Sequence, residues 1–143
     1  MKNPLLTGLL ASVLFIAFSS NAADQDARTK VDFPAMMKTH MLGNMRDHLS
    51  ALHEIQTALA QGEFDKAGDI AEQRIGMSSL VSHNAAHMAP FMPKGMQAIG
   101  TEMHHAASRF ALTAKEGDLV KSLDALTKVT QQCVACHTTY RVN

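Results

Sequence analysis

The stretch Cys133-Val134-Ala135-Cys136-His137 holds both cysteines of the chain. C-x-x-C-H is the spacing used for covalent haem attachment. On a helix, Cys133, Cys136 and His137 stand at i, i+3 and i+4, and so share one side. Two thiols so placed can add to the two vinyl groups of a haem, and the adjacent imidazole can reach its iron. The sequence therefore predicts one covalent haem c, bound through Cys133 and Cys136, with His137 as the proximal iron ligand. A stray C-x-x-C pair has three other readings: redox dithiol, half a zinc site, disulfide. A thioredoxin-like dithiol wants a βαβ context, and no such pattern is visible. Structural zinc wants four ligands, and the chain has no second cysteine pair.

The helix carrying this motif reads back to the Gly117-Asp118 step, where Gly117 stops one helix and Asp118 caps the next. Leu119, Leu126, Cys133 and Tyr140 recur at intervals of seven, with Leu123, Thr130 and His137 as a parallel row. This reads as a bundle seam running into the haem site. Upstream, Met96, Ile99, Met103, Ala106 and Phe110 give a third helix from Pro93 to Lys115. Ala67, Ile70, Arg74, Met77 and Val81 give a second, from Phe64 and fading through residues 83–88, with Arg74 a polar member without an evident reason. Met37, Met41, Met45, His48, Leu52, Ile55 and Leu59 give a first, entered at Pro34, capped by Asp32 and ended at Gln61-Gly62. No stretch alternates at period two and the connections are short. The pattern predicts an all-α, antiparallel four-helix bundle with a covalently bound haem near the C-terminus of the last helix.

The first residues read as a targeting segment. Lys2 precedes an apolar run from Leu5 to Phe18, and Ser19 to Ala23 supplies small residues for cleavage after Ala22 or Ala23. The run is too short for a typical membrane span, although an uncleaved anchor is the competing reading. The expected organisation is a signal peptide over 1–22, a disordered lead-in over 24–32 and the cytochrome domain over 33–143. Export to the periplasm fits the motif, since c-type haem is attached outside the cytoplasm. The 13 basic and 13 acidic residues balance, which leaves no basic face for nucleic acid. The exported portion has no Trp, five aromatic residues and nine methionines. A core so poor in rings can be completed by a large apolar cofactor, with Met as adaptable filler.

The ending Cys133-Val134-Ala135-Cys136-His137-Thr138-Thr139-Tyr140-Arg141, fifteen residues beyond Asp118, resembles the cytochrome c′ family, the class II c-type cytochromes. The resemblance extends over about residues 33–143, specifically in the ending and in pattern only over the first three helices. It implies a haem inside a four-helix bundle, with Tyr140 and Arg141 in its surroundings and Arg141 close to the proximal His137. It also implies a distal residue on the first helix, a Met in low-spin members and a non-coordinating apolar side chain in high-spin ones. Homodimers are common in the family, which makes one a possible assembly here.

From Asp118 to His137 the last helix climbs 19 residues, roughly 28 Å. A similar distance back from the 61–63 turn falls near Met45. Met45 is therefore the first candidate for sixth ligand, and Met41, one turn earlier, lies in the haem environment as second candidate. The family usually places a basic residue four positions before the distal one; here that position is Met41. His83 and His87, in the connection between the second and third helices, are the imidazole alternatives. His40, His48, His53, His104 and His105 read as surface or helix-face residues. Arg46 and Lys94 are the basic residues available to a haem propionate.

The reading that follows is a periplasmic carrier of single electrons, not an enzyme, with periplasmic or membrane redox proteins as partners. The alternative is a five-coordinate protein binding diatomic gases such as nitric oxide or carbon monoxide. A peroxidase would need a distal acid-base group, and a Met-lined distal stripe argues against one, although His48 lies one turn from Met45.

Overall fold

The structure, a computed structural model, describes residues 26–142. The expected signal peptide and its cleavage site lie outside these residues. The described chain is mostly helical. Helices α1 (Ala35–Ala60), α2 (Phe64–Arg74), α4 (Lys94–Ala114) and α5 (Leu119–Thr139) form its body, with the single turn α3 (Ala85–Met88) between α2 and α4. Short 3-10 turns at Met77–Leu80 and Ala89–Phe91 flank α3. Strands β1 (Thr29–Lys30) and β2 (Tyr140–Arg141) pair in parallel, Thr29 opposite Tyr140. Among the described residues no helix is long and apolar enough to cross a membrane.

The punctuation follows local chemistry. Gly62 and Gly117 both take φ of +74° at the ends of α1 and α4, a conformation that costs glycine nothing. Asp118 caps α5, its Oδ1 accepting from the Lys121 amide at 3.0 Å. Asp32, in contrast, does not cap α1. Pro34 occupies that position without a side-chain cap, and Asp32 pairs with Lys30 at 2.8 Å.

Two cores lie one above the other. The first is built from small side chains: Ala51, Ala58, Ala67, Ala71, Ala106, Ala107, Ala111 and Ala114 around Ile55, Phe110, Leu126 and Val129. Alanine lets helices approach closely, and at Gly68 the approach is closer still. A Cβ there would come within 2.7 Å of the Ala111 carbonyl, so α2 can lie against α4 only because none exists. The second core is Met41, Met88, Met96 and Val31, with Phe33, Met37, Met45, Met92, Cys136, Tyr140 and Val142 packed against it. Methionine replaces alanine at the end where a cavity opens.

Three expectations change. Helix α2 stops at Arg74, not in the eighties. Gly76 is extended (φ −69°, ψ −176°), and Gly is a poor helix former. Met77 and Val81 therefore leave the helical face, and Val81 is 90% exposed. The buried row of α5 is Ser122, Leu126 and Val129, leading to half-buried Cys133 and Cys136; Leu119 and Leu123 lie outside. The strict seven-residue spacing misplaced that face, because a straight helix has 3.6 residues per turn, not 3.5. Finally, the described part of the expected disordered lead-in, residues 26–32, contributes β1 and the buried Val31.

These assignments predict contrasting stabilities. Phe110→Ala empties a fully buried site and should cost about 3–5 kcal/mol. Leu123→Ala should fall within about 0.5 kcal/mol of the parent. Urea unfolding followed by helix circular dichroism separates the two.

Candidate functional site

An apolar cavity of about 700 Å³ opens between α1, α4, α5 and the 80–92 connection. That volume lies in the range of ligand and cofactor pockets. Cys133, Cys136 and His137 lie along its α5 wall, and Met41, Met45, Met88, Met92, Met96 and Met103 line the others. The motif and the methionine stripe, about ninety residues apart in sequence, thus face one space. Met41 is buried and Met45 half-buried; both reach the cavity. Arg46 also lines it, while Lys94 does not. Of the two imidazole alternatives, His83 is buried and lines the cavity, whereas His87 is exposed and does not.

Both thiols are free. Burial pushes each above the ordinary thiol range, and at Cys136 the neighbouring Cys133 adds to the effect. A catalytic dithiol needs the opposite, a thiolate favoured by positive surroundings. The pair is therefore poorly suited to disulfide exchange and well suited to holding an apolar group across the mouth of an apolar hole.

The strand pair lies beside His137. Arg28, in the N-terminal strand segment, donates from Nη1 to the His137 carbonyl at 3.2 Å and from Nη2 to Asp26 at 2.6 Å. The Arg28 guanidinium holds the Asp26 carboxyl down to about 2, and Arg141 Nε lies 3.6 Å from the same carboxylate. Arg141 is thus bound into the ribbon beside Asp26. Tyr140 sits over the start of α4, where Gly95 leaves it room: a Cβ at Gly95 would lie 2.5 Å from the Tyr140 hydroxyl. Arg28 carries no sequence signal, because its role depends on strand pairing with a segment 109 residues away.

Sequence reasoning also missed the floor of the cavity. His48 and His104, expected on helix surfaces, are buried there together with His83. Ring centres lie 4.8 Å apart for His48–His83, 5.7 Å for His83–His104 and 6.1 Å for His48–His104. The signal was present for His48, which falls in the apolar row Met41, Met45, Leu52, Ile55. The reason for Arg74 appears nearby. It reaches across to α1 and pairs with Asp47 Oδ1 at 2.5 Å and Glu54 Oε1 at 2.6 Å, which lowers both carboxyls.

Burial pushes all three imidazoles below the ordinary histidine range, His48 to about 4, and their mutual proximity adds to this at His48 and His83. They are neutral at pH 7. Protein-family models, curated proteins and solved structures yield no match to this chain.

A group whose folded pKa is depressed contributes full stability above its unfolded value and loses it as pH falls through the folded one. Stability should therefore decline from about pH 6.5 towards pH 4, with His48 alone supplying on the order of 3 kcal/mol. His48→Gln should flatten that decline. The check is a pair of urea titrations at pH 7 and pH 4.5.

Proposed function

We propose that this chain is a monohaem c-type cytochrome with an antiparallel four-helix-bundle architecture, and that it carries single electrons in the periplasm. The observation that supports it most directly is the meeting, on one apolar cavity, of the C-x-x-C-H residues and the methionine stripe of α1. The residues fit the group: two free, half-buried thiols, a neighbouring imidazole, apolar walls and a volume of cofactor size. Cys133 and Cys136 would hold it as thioethers and His137 would furnish the proximal nitrogen. Bound there, a haem supplies a ferric/ferrous couple with no bond-breaking chemistry.

The chain's part in that function is environmental. The largely apolar lining, methionines above all, lowers the polarity around the group, which disfavours the more highly charged ferric state. Met45 is the thioether candidate for the sixth position, and a Met ligand raises the potential further. Arg28 and Asp26 fix the backbone at His137 through the ribbon. The balanced surface charge gives weak electrostatic steering toward redox partners. The alternative, a five-coordinate site for nitric oxide or carbon monoxide, follows if Met45 covers the iron without bonding it.

Two variants test this. Cys133→Ala combined with Cys136→Ala should abolish the haem stain on a denaturing gel; a persistent stain would overturn the central reading. Met45→Ala should convert a low-spin ferric spectrum to high-spin and open the iron to carbon monoxide. A parent spectrum that is already high-spin and carbon-monoxide-sensitive selects the gas-binding alternative.

A further inference from the structure

The connection from Asn84 to Met92 walls the cavity with Ala85, Met88, Ala89 and Met92, yet little holds it there. It is one helical turn, α3, followed by a 3-10 turn, and the two pack chiefly on each other. Asn84 enters it in the left-handed region, at φ 55° and ψ 34°, which Asn tolerates better than most residues. Pro93 leaves it extended, at φ −54° and ψ 147°. Inside the segment the amides are met locally. The Asn84 carbonyl accepts from the Met88 amide at 3.2 Å, and the Ala89 carbonyl from the Met92 amide at 3.1 Å.

One side chain fastens this segment to a long helix. Gln97, near the start of α4, donates from Nε2 to the Ala89 carbonyl and to the Met92 carbonyl, both at 2.9 Å. Both partners can only accept, so it is the carboxamide nitrogen, with its two N–H groups, that faces them. Among the described residues these are the only hydrogen bonds joining residues 84–92 to α1, α2, α4 or α5. The sequence explains why they are needed. Pro93 has no N–H, so the Ala89 carbonyl lacks the amide that a continuing helix would offer it four residues on. The Gln97 side chain supplies that donor. Gln97 also lines the cavity, next to Met96, which is buried in one cluster with Met88 and has Met92 packed against that cluster.

We infer that Gln97 is a positioning residue: its carboxamide latches the 84–92 wall to α4 and so holds Met88 and Met92 against the cavity. The consequence for function rests on the haem reading. With the wall latched, two thioether side chains border the group. With it released, water takes their place, which stabilises the more highly charged ferric state and lowers the potential. Gln97 thus acts on the couple through the two methionines, without touching the iron. Two ordinary hydrogen bonds shift an opening equilibrium by on the order of tenfold or more.

The test compares the parent, Gln97→Met and Gln56→Met as exported, haem-replete proteins. Met matches Gln in length and has no donor, and Gln56 is exposed on α1 and serves as control. In Gln97→Met, amide hydrogen exchange over residues 85–92 should speed by about tenfold or more, with the amides of α1 and α5 unchanged, and the midpoint potential should fall. Gln56→Met should match the parent in both readings. Unchanged exchange over 85–92, or acceleration spread through the whole chain, overturns the latch. Faster local exchange with an unmoved potential overturns its role in the redox couple. The parent alone gives a reading that no variant's folding affects. Its Met92 amide should exchange through a local opening that depends little on added urea, and exchange only by global unfolding overturns the latch. Exchange needs no haem, so protein that takes up none overturns the haem reading, and the potential shift with it, while the latch is still decided.

Discussion

The constraint on which the structure depends is an apolar volume that the chain does not fill with its own side chains. The cavity measures about 700 Å³, and side chains that face unfilled apolar space forfeit packing contacts on that side. The chain meets this by division of labour. Alanines and Gly68 draw α2 against α4 so tightly that the lower core needs no filler. Methionines crowd the upper part, where unbranched side chains can adjust to whatever occupies the space. The haem we propose would complete such a shell.

Charge is managed by the same separation. The one guanidinium on the inner side of α2, Arg74, is drawn outward to Asp47 and Glu54 and spans α1 to reach them. The imidazoles below it stay neutral through burial. The three imidazoles therefore bring no charge to the cavity floor at neutral pH.

Much of this was legible in the residues. The long helices, the glycine stops at Gly62 and Gly117 and the Asp118 cap follow from local chemistry, and all appear where that chemistry puts them. So does the convergence of Met41 and Met45 on the cavity with Cys133, Cys136 and His137. What failed to show was non-local. A period-seven rule misread the face of α5, since tertiary contacts fix which of two adjacent rows is buried. The early end of α2 was masked because Met77 and Val81 keep the helical spacing after Gly76 has broken the helix. The histidine floor needs α1, α4 and the 75–83 connection to meet, and Arg28 needs a strand partner from the far end of the chain.

That strand partner has a consequence for the order in which the molecule can be built. The β1–β2 ribbon pairs Thr29 with Tyr140 and Lys30 with Arg141, residues 111 apart in the chain, so closing it carries the largest loop-entropy cost in the chain. A polypeptide delivered N-terminus first exposes Val31 and the β1 edge long before Tyr140 and Arg141 arrive. Over that interval α1 and α2 can pair locally, while the cavity stands open on the side α5 will cover. The ribbon is a closing clasp: it registers that the last helix, with its two thiols, has been delivered and seated.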